Sequence, residues 1–109
     1  MRIWDIPPKN LCRQHLLGEH RELHAIWSIL TTNKKGYSTH TETLRWKGKL
    51  KALYLAHEEI VKEMKLRGFN HKSPLENKLA TGENVQKDFV ESVEEQINIL
   101  KIKSCTCKV

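Results

Sequence analysis

No apolar run in this chain approaches the roughly 18–20 residues that a membrane span requires. The first residues also lack the charged-then-apolar pattern of a secretion signal. A cytoplasmic location is therefore expected, with no membrane partner. Cysteine is scarce and odd in number, at Cys12, Cys105 and Cys107, which argues against a disulfide framework. There is no Gly-rich phosphate loop, no Ser/His/Asp arrangement and no His-Glu-x-x-His pattern. Sustained strand alternation and internal repeats are absent as well. These absences leave a small helical domain without an evident redox, nucleotide or metalloprotease signature.

What remains is helical periodicity and positive charge. The 109 residues suit one domain with a modest core. Lys and Arg total 19 against 13 Asp and Glu, a net charge of +6. The excess is uneven: residues 1–72 hold 14 basic against 7 acidic side chains, and residues 73–109 hold 5 against 6. A basic body with a near-neutral tail fits a polyanionic partner, nucleic acid first, although charge alone equally fits a merely soluble basic protein.

Residues 1–7 read as an extended arm, because Pro7-Pro8 blocks helix before them and suits a helix start at about residue 8. The first helix is expected to run to about Leu30, with Cys12, Leu16, Leu23, Trp27 and Leu30 on its apolar face. Thr31 to Thr41 reads as a loop. The second helix is expected from about Thr43 to Arg67. Its stripe is Trp46, Leu50, Leu53, His57, Ile60 and Met64, and Gly68 closes it. Ser73-Pro74-Leu75-Glu76 is a capping box that predicts a short helix ending before Gly82. Ser92-Val93-Glu94-Glu95 is a second, opening a last helix with Val93, Ile97 and Leu100 inward. The fold class that follows is all-α: one domain over 1–109, with two long helices, shorter C-terminal helices, the extended arm and a flexible tail from about residue 103.

The chemistry centres on the chain start and the first helix. An α-amine has a reference pKa of about 7.7–8.0, so it is a neutral nucleophile near pH 7 when a lysine is not. His15, Gly18, Glu22 and Ala25 follow at helical spacing beside the apolar stripe. Gly18 leaves room for a backbone or ligand to approach Glu22. An arm folded against that line would let Glu22 assist Schiff-base chemistry by the Met1 amine. The plainer reading is a surface glutamate beside a tolerated glycine. Arg2 and Arg21 are candidates for bidentate phosphate contacts, or are simply solvated or paired with Glu19 and Glu22. Arg45, Lys47, Lys49 and Lys51 form a basic segment that reads either as a DNA-facing surface or as a solvated face. Trp46 within it belongs more naturally to the core.

The six histidines offer one metal-like spacing, His20 and His24 at i and i+4, but no third ligand is evident. No metal and no cofactor is expected. His57 reads as a hydrogen-bonded core histidine, and Cys105-Thr106-Cys107 as an inert tail.

Arg2-Ile3, Gln14-His15-Leu16, Glu19, Arg21-Glu22-Leu23 and Arg67-Gly68-Phe69-Asn70 together resemble the pyrimidine dimer DNA glycosylases, the phage endonuclease V-like family. With Trp4-Asp5-Ile6, Lys35-Gly36-Tyr37 and Leu44-Arg45-Trp46, the chain looks like a small cellular branch of it. The resemblance implies an all-α fold and a bifunctional glycosylase with abasic-site (AP) lyase activity on ultraviolet-damaged, double-stranded DNA. It implies imine formation by the N-terminal amine, here that of Met1, with Glu22 as the essential carboxylate. Arg2 and Arg21 would grip the damaged strand, and His15 is a further candidate DNA contact. A monomer associated with the nucleoid is expected. Arg2 is too large to favour methionine removal, so Met1 is expected to be retained. A further family arginine falls on Ala25, and the family's aromatic, basic C-terminus is replaced by Cys-Thr-Cys-Lys-Val. A non-catalytic or differently specific DNA-binding module of the same fold is the alternative. A helical domain binding an acidic protein comes third.

Overall fold

A computed structural model of the chain describes residues 2–32, 41–71, 74–103 and 107. Four α-helices account for its regular structure: α1 (Arg13–Thr32), α2 (Thr41–Leu44), α3 (Leu50–Leu66) and α4 (Val93–Ile102). Short 3₁₀ turns sit at Pro8–Asn10 and Asn77–Leu79. The class is all-α, with no strand among the described residues. No helix among them is long and apolar enough to cross a membrane. The loop expected before Thr41 lies mostly outside the described residues.

The first helix begins five residues later than the Pro7-Pro8 pair implied. Pro8–Asn10 closes as a single tight turn, and Leu11 is extended. The Arg67 guanidinium explains the delay. It donates to the carbonyls of Pro8, Lys9 and Leu11, the last at 2.7 Å, so it fixes this stretch in a non-helical course. From Arg13 onward Leu16, Leu23, Ile26 and Trp27 are buried against α3.

The second long helix is broken. Thr41–Leu44 forms one turn, Gly48 then adopts φ +77°, and α3 starts afresh at Leu50. A glycine in the left-handed region ends a helix rather than continuing it. The new helix start is capped from a distance: Lys51 N–H donates to the Thr81 carbonyl at 2.8 Å, and Ala52 N–H to that of Glu83 at 3.0 Å. These are orphan donors of a first helical turn. Leu53, His57, Ile60 and Met64 are buried as the spacing predicts. Gly68, at φ +83°, closes α3. Its N–H bonds the Lys65 carbonyl and the Phe69 N–H that of Met64, which is a Schellman cap.

The short helix expected after Ser73-Pro74 is only the turn Asn77–Leu79, and Ser73 itself lies outside the described residues. The Ser92 capping box holds: its Oγ accepts the Glu95 N–H at 3.1 Å and opens α4.

The arm contributes more to the core than an extended lead-in would. Ile3, Trp4 and Ile6 are all buried. Their extended backbone has no strand to pair with, so side chains take its donors. Glu42 accepts Ile3 N–H at 3.1 Å, Glu19 accepts Trp4 N–H at 2.5 Å and Gln96 accepts Asp5 N–H at 2.7 Å. Arg45 completes the clasp, donating to Glu42, Asp5 and the Ile3 carbonyl at 2.7–3.1 Å. Two carboxyl groups thus share one buried guanidinium, and a third, Glu19, lies nearby. Burial raises the Glu19 pKa to about 8, and the neighbouring Asp5 and Glu42 push it the same way. The Trp4 N–H and Arg45 act in the opposite sense without prevailing.

Two predictions follow from these links. A Cβ at Gly82 (φ +84°) would lie 2.1 Å from the Gly48 carbonyl oxygen. Gly82→Ala therefore loosens the cap on α3 and costs more than about 1–2 kcal/mol in urea unfolding. The second concerns Glu19, whose carboxyl is protonated more readily in the folded state than in the unfolded one. Its stabilising contribution is full below pH 4.5 and is lost as pH rises through about 8. Gln keeps the acceptor for Trp4 without titrating. Glu19→Gln should gain stability relative to wild type between pH 6 and 9, by at most about 1.4 kcal/mol per pH unit. A constant difference across that range would rule the titration out.

Candidate active site on the first long helix

The core-facing stripe of α1 has two flanks. At 100° per residue, Glu22 falls on one and the pair His20 and His24 on the other, about 160–200° away. Glu22 is half-buried and has no ion pair or hydrogen bond among the described residues. Gly18, one turn earlier, adjoins open space, since a Cβ there would meet nothing within 4 Å. The arm is fastened to this same helix through Glu19, three residues before Glu22. Met1, the expected nucleophile, lies outside the described residues.

Arg2 is paired with Glu91 at 2.7 Å and lies 4.8 Å over the Trp4 ring. Its side chain retains 36% exposure, so the pair is solvent-screened. Arg21 is exposed, with no such partner among the described residues. His15 is half-buried and faces sulfur rather than solvent. Its Nδ1 lies 3.0 Å from Cys12 Sγ and 3.3 Å from Cys107 Sγ, and Trp4 packs edge-on at 5.7 Å. Burial, followed by the charge of Lys103, lowers its pKa. Cys107 is thus packed onto the start of α1, whereas Cys105 lies outside the described residues.

The basic stretch 45–51 divides by orientation. Arg45 is buried and committed to the arm, which removes it from any surface that meets a polyanion. Lys49 is likewise turned inward, bonding Gln86 at 2.9 Å and Asp88 at 2.5 Å. That contact holds the Asp88 carboxyl below its ordinary pKa. Lys47 is exposed, and Lys51 reaches over the Tyr54 ring at 5.6 Å. Trp46 is a core residue, its indole N–H pointing to Glu42 at 3.3 Å. An apolar cleft of about 220 Å³ runs along the arm between Trp4, Glu19, Trp46 and Ile60. Glu22 does not line it.

Sequence reasoning missed the clasp residues Glu19, Glu42 and Gln96. It also missed a convergence on the opposite flank of α1. His57 from α3 and His71 from beyond its end join His20 and His24 there, with their ligand nitrogens mutually within 4.8 Å. Burial, then the three other imidazoles, lowers the His20 pKa to about 4. The His-x-x-x-His spacing was the one legible signal of this group. Cys12, His15 and Cys107 form a second, smaller convergence.

The Arg67-Gly68-Phe69 motif is now explained as architecture: Arg67 ties the arm to α3, and Gly68 ends that helix. The sequence signature thus coincides with the parts that hold the arm and Glu22 in one body. No curated protein and no solved structure matches the chain. The family model of the pyrimidine dimer DNA glycosylases matches residues 1–77, which span the arm, α1, α2 and α3. The chain belongs to the pyrimidine dimer DNA glycosylase family.

Proposed function

We propose that this protein is a DNA glycosylase with AP lyase activity on ultraviolet-damaged duplex DNA, using the Met1 α-amine as nucleophile and Glu22 as the catalytic carboxylate. Family membership across the segment that contains both residues carries this reading. Glu22 is accessible, and the arm leading from Met1 is bonded to its helix one turn away.

The chemistry is balanced without a cofactor. The neutral amine attacks C1′ of the damaged nucleotide, a C1′–N bond forms, and the glycosidic bond breaks, the protonated base staying tethered to its dimer partner. The sugar opens to an imine. Loss of a C2′ proton then expels the 3′ phosphate and cleaves the strand, and water hydrolyses the remaining imine, releasing the unsaturated aldehyde and restoring the amine. Glu22 assists ring opening and proton removal as general acid and base. Extruding a nucleotide is cheapest at a damaged, poorly stacked step, which favours lesions over intact pairs.

Arg21 and Lys47 are the exposed cations suited to phosphate contacts, with Lys51 beside Tyr54. Arg2 joins them by exchanging Glu91 for a phosphate, a small cost for a pair this exposed. His15, Arg45 and Lys49 serve the fold in this reading rather than the DNA.

Borohydride trapping of the untagged chain on dimer-containing, abasic and intact duplexes tests the reading. A covalent adduct mapped to Met1 on the dimer substrate is expected. Binding without an adduct on any duplex would favour the non-catalytic module. Glu22→Gln should lower turnover by at least about 100-fold with DNA affinity largely kept; full activity would remove Glu22 from the mechanism. Arg21→Ala should weaken binding to all duplexes alike and reduce the salt slope by about 1, as measured by titration at several ionic strengths.

A further inference from the structure

Four imidazoles meet on the flank of α1 away from Glu22. His24 Nε2 lies 3.2 Å from His20 Nε2 and 3.1 Å from His57 Nε2, and His71 Nε2 lies 3.1 Å from His20 Nε2. All four residues thus present the same ring atom to one point. Hydrogen bonding alone satisfies this arrangement only through shared contacts. A neutral Nε2 carries either one proton or one in-plane lone pair, never both. In the order 71, 20, 24, 57, the protons must therefore alternate. One lone pair on His20 would have to serve two donors, and one proton on His24 would have to serve two acceptors.

The tautomer of His57 is set from outside the cluster. Its Nδ1 faces the Glu58 carboxylate at 3.1 Å, so the proton sits on Nδ1 and the Nε2 lone pair points inward. A carboxylate behind a ligand imidazole is the usual outer partner of a metal-binding histidine. The spacing also fits a cation. Metal–nitrogen bonds of about 2.0–2.1 Å in a tetrahedron put the nitrogens about 3.3 Å apart. The three short separations fall within about 0.2 Å of that.

We propose that His20, His24, His57 and His71 form a binding site for a zinc-class divalent cation. Imidazole nitrogen suits zinc among the available divalent metals. Four protein ligands leave no open position, which marks a structural rather than a catalytic site. His20 and His24 belong to α1, His57 to the middle of α3, and His71 follows the Gly68 stop. The ion would staple the two long helices and the chain beyond them. Set on the flank opposite Glu22, it fixes the helix that carries the carboxylate without touching the reacting atoms.

The test uses the full chain without a histidine tag. Metal content is measured after purification, followed by thermal unfolding with chelator and with zinc restored. Zinc should raise the wild-type Tm by at least about 5 °C over the chelated protein, and chelator should reverse the gain. Cobalt substitution should give a tetrahedral d–d spectrum. His71→Ala and His20→Ala should abolish the zinc-dependent rise and the cobalt spectrum. Cys12→Ser, which alters the separate Cys12–His15–Cys107 group, should leave both in place. His71→Cys supplies another zinc ligand, so it should keep the zinc response and add thiolate-to-cobalt charge transfer. That variant keeps the test decisive if an alanine variant folds poorly. A wild-type Tm indifferent to chelator and zinc would overturn the proposal. So would a zinc response in His71→Ala and His20→Ala equal to that of wild type, or a His71→Cys protein that lacks the charge-transfer band.

Discussion

Three consecutive backbone N–H groups in the buried arm, those of Ile3, Trp4 and Asp5, have no neighbouring strand to receive them. Each is taken by a side chain from a different helix: Glu42 of α2, Glu19 of α1 and Gln96 of α4. An unpaired buried donor costs about as much as a lost hydrogen bond. This requirement draws three helices onto one extended segment. The arm's apolar side chains supply the other half of the attachment, since Ile3, Trp4 and Ile6 all sit in the core. An arm that merely lay on the surface would need none of these acidic and amide groups in the interior.

Placing carboxyl groups there creates an electrostatic problem, and the fold resolves it in two ways. Arg45 pairs with Glu42 and Asp5 directly, through a guanidinium that also holds the Ile3 carbonyl. Glu19 instead remains protonated near neutral pH. A buried pair is weak evidence for net stability, because desolvation offsets much of the attraction. Its value here is geometric: it fixes the course of the arm from Ile3 to Asp5. The proposed chemistry of the Met1 amine calls for such an immobilised arm. The fold therefore uses one basic residue of the 45–51 stretch to set the arm and another, Lys49, to fasten the segment around Gln86 and Asp88.

The apolar faces of the two long helices were legible because they depend on local periodicity. Leu16, Leu23, Trp27, Leu53, Ile60 and Met64 are buried as their spacing requires. The Gly68 stop and the Ser92 cap were legible for the same reason, each being a contact within one turn. The break at Gly48 was not, because the donors it leaves open are satisfied by carbonyls from Thr81 and Glu83, some thirty residues away. The roles of Arg45 and Lys49 were hidden similarly. A charge run on a periodic segment reads as a solvated face, and only the positions of Glu42, Asp5 and Asp88 turn two of its members inward. His57 was correctly placed in the buried stripe, but its companions come from α1 and from beyond α3. The local signature at the start of α1 pointed to Glu22 through its resemblance to a family. Periodicity and composition alone left that residue an ordinary glutamate.

The two flanks of α1 bear different demands, and this orders the whole molecule. The proposed role of Glu22 needs an accessible carboxylate, and its side of the helix is loosely packed: Gly18 adjoins open space and Glu22 is half-exposed. Restraint must then come from elsewhere around the helix. The core stripe against α3 supplies part of it, and Glu19 bonded to the arm supplies more. The histidine flank lies opposite the open side, where a cross-link between α1 and α3 resists rotation of α1 about its axis most directly. A residue held within a few tenths of an ångström needs such support on the faces that substrate does not use. In a domain of 109 residues, whose core is necessarily shallow, apolar packing alone gives limited stiffness. A polar clasp on the arm and an imidazole cluster behind the helix are physical means of restoring it while leaving the Glu22 side open.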